Sequence, residues 1–237
     1  MKINQSVALV TGSNRGIGKA IVESLVANGA KKVYAAARTW DGKKPMNDRV
    51  IHVELDVTDQ KQIDALVGKA GDVNLLVNNA GVVDFVDIIN ASEEQFQRNF
   101  SVNLFGMWKM AKAFAPIIEK NTGGAMVNIL SILSFASMPV FSVYNASKAA
   151  AWSMCLSLRA TLKDKGIRVL NVFPGPVDTD MISAVDIAKT SPKDVANSIL
   201  AGLESEKEDV FPDPMSESVY DAWKKDHKQI EKQFASM

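Results

Sequence analysis

Few side chains of this 237-residue chain can bind a metal or form a disulfide. Cys155 is the only cysteine, and His52 and His227 are the only histidines. A single cysteine cannot form an internal disulfide, and structural zinc sites usually need several cysteines and histidines. We therefore expect no metal site, and we expect a reducing compartment, with the cytoplasm as the default location.

The chain also lacks an excess of charge and a long apolar run. Its 27 basic residues balance its 27 acidic residues, which argues against a broad nucleic-acid-binding surface. The longest apolar-looking stretch, residues 123–141, contains several serines and a proline, so it predicts a strand and a loop rather than a membrane span. No signal peptide is evident. We expect neither nucleic acid nor a membrane as a partner.

What the sequence does contain is an alternation of short apolar runs with amphipathic segments. Strands are predicted at residues 7–10, 33–37, 50–55, 75–77, 126–130 and 169–173, and helices at 16–28, 59–70, 93–119 (broken in the middle), 142–163 and 192–203. Strands that alternate with helices indicate βαβ units. We predict an α/β fold, a Rossmann-like doubly wound parallel sheet of about seven strands with helices on both faces.

Capping residues mark the ends of several predicted helices. No linker segment divides the chain into two domains. Ser92 with Gln95 predicts a capping box, and Ser191-Pro192 predicts a helix start. We expect residues 1–237 to form one domain. Its tail, residues 213–237, is predicted to be helical, with one charged amphipathic helix over 216–234.

A glycine-rich turn follows the first predicted strand. It reads Thr11-Gly12-Ser13-Asn14-Arg15-Gly16-Ile17-Gly18 and leads into the first helix. Glycines let a pyrophosphate approach the backbone, and a helix N-terminus offers unpaired N–H groups to an anion. Three glycines also fit an ordinary loop, but this position favours a dinucleotide site.

The end of the second strand indicates which dinucleotide is bound. NAD-binding sheets usually carry an Asp or Glu about 20 residues after the glycines. Here residues 35–39 contain no acid, and Arg38 offers a forked cation to a 2′-phosphate instead. Arg15 is a second cation for the same group. Together these features favour NADP(H) over NAD(H).

Tyr144, Lys148 and Ser131 form a candidate catalytic set. Tyr144 and Lys148 lie four residues apart at the start of a predicted helix, so they share one face. We expect the ammonium to lower the pKa of the phenol and so fit it for acid–base work. Ser131 ends a predicted strand, where its hydroxyl can bind a substrate oxygen. A surface pair at this spacing is also common by chance.

These residues, taken in order, resemble the short-chain dehydrogenase/reductase family in its compact form. The resemblance covers about residues 5–211 and rests on the glycine turn and six later motifs: Asp56-Val57, Asn78-Asn79-Ala80-Gly81, Asn103, Ser131, Tyr144 with Lys148, and Pro174-Gly175 followed by Thr179. It implies an enzyme, an NADP-dependent oxidoreductase.

The resemblance also implies a catalytic role for four residues. Tyr144 is the implied proton donor in reduction, and Lys148 the residue that holds the nicotinamide ribose and lowers the pKa of Tyr144. Ser131 is implied to orient the substrate carbonyl. Asn103 is implied to bind a water that relays protons from Lys148.

The implied cofactor contacts extend along the whole motif series. Asp56 is expected to accept from the adenine amino group, and Pro174-Gly175 with Thr179 to close on the nicotinamide half. The complete cofactor-binding set comprises Gly12, Ser13, Asn14, Arg15, Gly16, Ile17, Gly18, Arg38, Asp56, Val57, Asn78, Ala80, Gly81, Tyr144, Lys148, Pro174, Gly175, Val177 and Thr179.

The expected substrate is a neutral, hydrophobic ketone or aldehyde that is reduced with NADPH. The expected substrate-binding residues are Ser131, Leu133, Val140, Tyr144 and Met181, which include no cation for a carboxylate or phosphate. Two other functions stay open: a dinucleotide-binding sensor or scaffold with little catalysis, and a lyase or epimerase. Pro212 and Pro214 oppose strand pairing after residue 211 and so put one tetramer interface in doubt; a homodimer or a homotetramer stays open.

Overall fold

A computed structural model describes residues 1–42 and 44–237 of the chain. Its helices and strands, in chain order, are β1 (Val7–Thr11), α1 (Gly16–Ala27), β2 (Lys32–Ala37), β3 (Val50–Glu54), α2 (Gln60–Lys69), β4 (Leu75–Asn78), α3 (Glu93–Phe100), α4 (Met107–Lys120), β5 (Gly124–Ile129), α5 (Ser142–Leu162), β6 (Ile167–Val172), α6 (Pro192–Glu204), β7 (Asp209–Val210), α7 (Pro214–Lys225) and α8 (His227–Ala235). Within the described part of the chain, no helix combines the length and apolarity needed to cross a membrane.

The seven strands form one parallel sheet in the order β3-β2-β1-β4-β5-β6-β7. The chain first adds β2 and then β3 on one side of β1, and it then places β4 on the other side of β1. The strand order therefore reverses between β1 and β4, which is where open α/β sheets bind ligands. The predicted fold class is confirmed.

Each face of the sheet is covered by its own hydrophobic core. Val10 of β1 packs in the core beneath α1 and α6, whereas its neighbour Leu9 packs in the core beneath α2 and α4. Successive side chains of a strand point to opposite faces, so a strand covered on both sides is apolar throughout. This explains why the apolar runs show no polar alternation.

The predicted break in the helix over 93–119 is a π-helical segment. Ser101–Gly106 joins α3 directly to α4 and carries Asn103 at its middle. Gly106 leaves room for Val57, because a Cβ at this position would lie 2.6 Å from Val57 Cγ2. The predicted capping box of Ser92 and Gln95 starts α3, and Ser191 with Pro192 starts α6, as expected.

The tail folds as two helices where the sequence indicated one. Asp226 ends α7, and its carboxylate caps α8 by accepting the N–H groups of Lys228 and Gln229. Both helices pack through Val219, Ile230 and Phe234 against the turn that follows β5. The tail therefore lies beside Ser131, at the edge of the sheet where ligands are expected.

Candidate active site

A cleft of about 880 Å³ opens at the carboxyl ends of the strands. The glycine turn and the loops after β2 and β3 line one end of it. The turn after β5, the start of α5 and the segment after β6 line the other end. The cleft therefore spans the point where the strand order reverses.

The glycine turn has the geometry of a phosphate-binding loop. Gly12 and Gly16 have positive φ angles of 65° and 53°, which side-chain-bearing residues rarely adopt. Gly18 lies in α1 so close to the turn that a Cβ would be 2.3 Å from the Gly12 carbonyl oxygen. The turn thus leaves its backbone and the N-terminus of α1 free for an anion, and a dinucleotide pyrophosphate fits it.

Asn79 holds the glycine turn to the loop after β4. Its Nδ2 donates to the carbonyl oxygens of Thr11 at 2.8 Å and Gly12 at 3.0 Å. The Thr11 hydroxyl in turn accepts the backbone N–H groups of Asn79 and Ala80, each at 3.0 Å. Asn79 was not among the predicted site residues, although it stands in the quoted Asn-Asn-Ala-Gly motif, and it also lines the cleft.

The neighbouring Asn78 lies elsewhere. It is buried in β4, where its Nδ2 donates to Asn128 Oδ1 at 3.0 Å, and Asn128 donates in the same way to Asn171 at 3.3 Å. This chain of amides crosses three strands inside the sheet. The Asn78 side chain therefore points into the sheet and not into the cleft, and its expected place in the cofactor-binding set stays a prediction.

Both predicted arginines lie at the mouth of the cleft. Arg38 is exposed and directly follows Ala37, the last residue of β2. Arg15 forms an exposed ion pair with Asp180 at 3.4 Å, which joins the glycine turn to the segment after β6. Asp41 also lines this end of the cleft. The end of the cleft beside β2 is thus lined by one cation, Arg38, and one acid, Asp41.

Asp56 and Val57 follow β3 and line the cleft as predicted. One carboxylate oxygen of Asp56 accepts the Thr58 N–H at 2.8 Å and the Thr58 hydroxyl at 2.7 Å. These bonds fix the orientation of the carboxylate. Gly81 and Ala80, from the loop after β4, form the adjoining wall.

Tyr144, Lys148 and Ser131 come together at the centre of the cleft. α5 places Lys148 one turn after Tyr144, with the ammonium nitrogen 5.7 Å from the centroid of the phenol ring. The Ser131 hydroxyl accepts the Leu133 N–H at 3.1 Å and lies close enough to the Tyr144 hydroxyl to affect the pKa of the phenol. The three side chains thus have the proximity that the sequence spacing predicts.

The electrostatics of this cluster differ from the expectation. Burial raises the pKa of Tyr144 to about 12, and the neighbouring Ser131 side chain opposes this rise only in part. Burial also lowers the pKa of Lys148 to about 8. The Lys148 ammonium donates to the Ile129 carbonyl oxygen at 2.7 Å. The expected lowering of the tyrosine pKa by Lys148 is therefore not found in the cofactor-free site, because Lys148 is directed to the backbone rather than to the phenol oxygen.

Asn103 is buried behind the cleft rather than in its wall. Its amide makes two hydrogen bonds with the backbone of Val82, at 2.9 and 3.0 Å, and donates to the Ser147 hydroxyl at 2.9 Å. Ser147 lies beside Lys148 in α5. Asn103 therefore connects the loop after β4 to the catalytic helix, and its role as a water ligand stays a prediction.

The segment after β6 lines the part of the cleft where the family resemblance places the nicotinamide. Pro174, Gly175, Val177 and Thr179 all line the cleft. The Pro174 carbonyl oxygen accepts the N–H of Ile132, directly after Ser131, at 3.1 Å. Thr179 packs directly against Gly16, since a Cβ on that glycine would be 3.1 Å from the threonine methyl group.

The far end of the cleft is apolar, and the tail forms part of its wall. The predicted residues Leu133, Val140 and Met181 all lie there. Three tail residues, Met215, Phe234 and Met237, were not predicted, because the tail carries no family motif. The apolar lining of this end comprises Val83, Phe85, Leu133, Met138, Val140, Phe141, Met181, Ile182, Val185, Ile187, Met215, Phe234 and Met237.

Most of the predicted residues border the cleft, and four do not. Ser13, Gly18, Asn78 and Asn103 lie behind its surface. The Ser13 hydroxyl, for example, donates to the Ala36 carbonyl oxygen at 3.0 Å and so fixes the turn against β2. Among residues 1–42 and 44–237, no cluster of three His, Cys, Asp or Glu side chains is suited to a metal ion.

Comparison with known proteins agrees with this geometry. Residues 6–189 match the family model for the short chain dehydrogenases. Galactitol 2-dehydrogenase from Agrobacterium fabrum is 36% identical over 194 residues, which cover 78% of this chain and 76% of that protein.

Two solved structures have the same fold. A short chain dehydrogenase from Burkholderia cenocepacia J2315 in complex with NADP has a TM-score of 0.94 at 34% identity, and the match covers 99% of both chains. A short chain dehydrogenase/reductase from Burkholderia phymatum in complex with NAD has a TM-score of 0.84 at 25% identity, covering 98% of this chain and 96% of that one. Similar folds thus hold either nicotinamide dinucleotide.

Proposed function

Because the chain belongs to the short-chain dehydrogenase family, we propose that it is an NADP(H)-dependent oxidoreductase that reduces a neutral, apolar ketone or aldehyde to its alcohol. The observation that carries this proposal is the Ser131–Tyr144–Lys148 cluster, which lines the same cleft as the glycine turn and the apolar wall. The glycine turn accounts for the cofactor and the apolar wall for the substrate.

The glycine turn and the end of β2 support the choice of NADP(H). The turn and the N-terminus of α1 would hold the pyrophosphate, and Arg38 would pair with a 2′-phosphate, since β2 ends without a carboxylate. The Burkholderia cenocepacia relative was crystallised with NADP, which agrees with this choice. When bound, the cofactor supplies a hydride to the carbonyl carbon.

Tyr144 supplies the proton. At neutral pH the phenol of Tyr144 is protonated, which is the form that donates, and the burial that raises its pKa to about 12 makes it a weaker acid than a solvated tyrosine. Ser131, beside the same hydroxyl, directs the substrate oxygen toward it and stabilises negative charge there. Lys148, whose pKa is lowered to about 8, can return a proton to the site near neutral pH.

The apolar end of the cleft supports an apolar substrate. Apart from Lys148, the charged side chains that line the cleft all belong to its cofactor end or its mouth: Arg15, Arg38, Asp41, Asp56 and Asp180. A polyol buried against the apolar wall would leave its hydroxyl groups without hydrogen-bond partners, and each unpaired hydroxyl would weaken binding. The wall therefore favours alkyl or aryl substituents.

Polyol oxidation is the second candidate, and the similarity to galactitol 2-dehydrogenase favours it. The two are separated by assaying purified protein with NADPH and apolar ketones and aldehydes, and with NADP⁺ or NAD⁺ and galactitol. We expect turnover of the apolar carbonyls and a higher kcat/KM for them. Faster oxidation of galactitol would favour the polyol dehydrogenase, and NADPH binding without turnover of either class would favour a sensor.

A further inference from the structure

A buried carboxylate joins the tail to the cleft. Asp213 is only 4% exposed and stands between β7 and α7. Its Oδ1 accepts the Ser216 N–H at 2.8 Å and so caps α7, and its Oδ2 accepts the Gly175 N–H at 2.8 Å. The two oxygens thus serve two different parts of the chain, 38 residues apart in the case of Gly175.

Asp213 and Ile132 hold the same peptide group from opposite sides. The Gly175 N–H belongs to the peptide whose carbonyl, that of Pro174, accepts from the Ile132 N–H at 3.1 Å. Ile132 directly follows Ser131. A continuous series of hydrogen bonds therefore runs from the turn beside Ser131, through the Pro174–Gly175 peptide, to the first turn of α7.

Helix capping alone does not explain a buried carboxylate at this position. Serine and asparagine cap helices about as well as aspartate does, and burying a charge is costly unless it is hydrogen-bonded. No ion pair recorded among the described residues involves Asp213. Its contact with Gly175 is also close, because a Cβ at residue 175 would lie 2.7 Å from Asp213 Oδ1. The carboxylate thus packs closely against residue 175, and its Oδ2 is the atom that bonds to the glycine N–H.

We infer that Asp213 is a positioning residue that fixes the Pro174–Gly175 peptide, and with it the wall of the nicotinamide end, relative to Ser131. This inference rests on the proposed function, because it assigns that end of the cleft to the cofactor. It extends the site beyond the family-model match, which ends at residue 189, to the C-terminal helices.

Two variants separate the contact with Gly175 from the cap of α7. Asp213→Asn keeps an acceptor for Ser216 but presents N–H groups to the Gly175 N–H. Asp213→Ser keeps a good capping residue whose short side chain does not reach Gly175. The control is Asp226→Asn, since Asp226 caps α8 in the same tail and lies exposed.

Three measurements of the site, and thermal unfolding as a check on overall stability, apply to each variant. Amide hydrogen exchange of residues 173–179 is followed by mass spectrometry in the cofactor-free protein. The Kd of NADPH is determined from its fluorescence, and the deuterium isotope effect on kcat is measured with NADPH labelled at C4. Thermal unfolding reports on any general loss of stability.

Both Asp213 variants are expected to speed exchange in residues 173–179 and to raise the Kd of NADPH roughly 10-fold, the factor for losing a hydrogen bond to a charged acceptor. The isotope effect should rise, because a displaced wall slows hydride transfer, whereas mere loss of folded protein would not change it. Asp226→Asn should leave all three unchanged.

Unchanged exchange and unchanged NADPH affinity in both Asp213 variants would overturn the inference. A wild-type protein that binds NADPH but reduces no carbonyl would overturn the proposed function instead. In that event the exchange and binding measurements still decide whether Asp213 fixes the loop.

Discussion

Lys148→Met is expected to stabilise the cofactor-free protein near neutral pH. The Lys148 ammonium is buried, and burial lowers its pKa from 10.5 to about 8. The folded state therefore binds a proton less readily than the unfolded state. Burying the ammonium therefore lowers the free energy of unfolding. This destabilisation is fully present below pH 8 and disappears as the pH rises from 8 to 10.5, above which the amine is neutral in both states.

The size of the expected stabilisation follows from the lowered pKa of Lys148 and from the loss of one hydrogen bond. The lowering of the pKa corresponds to about 3 kcal/mol at neutral pH. Methionine has a similar length but cannot donate to the Ile129 carbonyl oxygen, and losing that 2.7 Å bond from a charged donor offsets about 1.5–3 kcal/mol. The net gain in the free energy of unfolding is therefore about 0–1.5 kcal/mol.

Urea unfolding of wild type and variant at about pH 7 and about pH 9.5 measures this gain and its decline. Tyr144 is present in both proteins, so its contribution cancels in the difference between their free energies of unfolding. Its raised pKa lowers stability only above pH 10. Lys163→Met, at the exposed end of α5, is the control and should show no such pH dependence. A Lys148→Met protein that is less stable at both pH values, or equally affected at both, would refute the reasoning.

Three further variants test the cleft. Arg38→Asp should weaken NADPH binding much more than NADH binding in fluorescence titrations; equal losses would remove Arg38 from the 2′-phosphate. Gly18→Ala forces a Cβ against the Gly12 carbonyl oxygen and should cost about 1–3 kcal/mol in urea unfolding, whereas Gly68→Ala, with open space around it, should be neutral or stabilising. Met215→Ala should shift kcat/KM toward ketones with longer alkyl groups, by about fourfold for each methylene newly buried; an unchanged profile would remove Met215 from the substrate pocket.

Local sequence patterns are sufficient to predict most of the fold. The apolar runs mark β1 to β6 because a strand covered on both faces must be apolar throughout. The capping box of Ser92 and Gln95 forms with both of its hydrogen bonds. β7 contains only two residues, Asp209 and Val210, and so it leaves no periodic signal.

Tertiary contacts decide the features that the sequence did not predict. Spacing places Lys148 beside Tyr144, but it does not show that the ammonium bonds to Ile129 or that burial dominates the phenol pKa. Likewise, nothing in the tail sequence indicates that Asp213 reaches Gly175 or that Met215 reaches the cleft. These contacts join residues far apart in the chain.

The most direct test of the central claim compares Tyr144→Phe with the wild-type enzyme on the best carbonyl substrate. The phenyl ring keeps the packing and removes only the hydroxyl that lies beside Ser131. The account predicts that NADPH binds with nearly unchanged Kd while turnover is abolished. Turnover by Tyr144→Phe at the wild-type rate would contradict the assignment of Tyr144 as the proton donor.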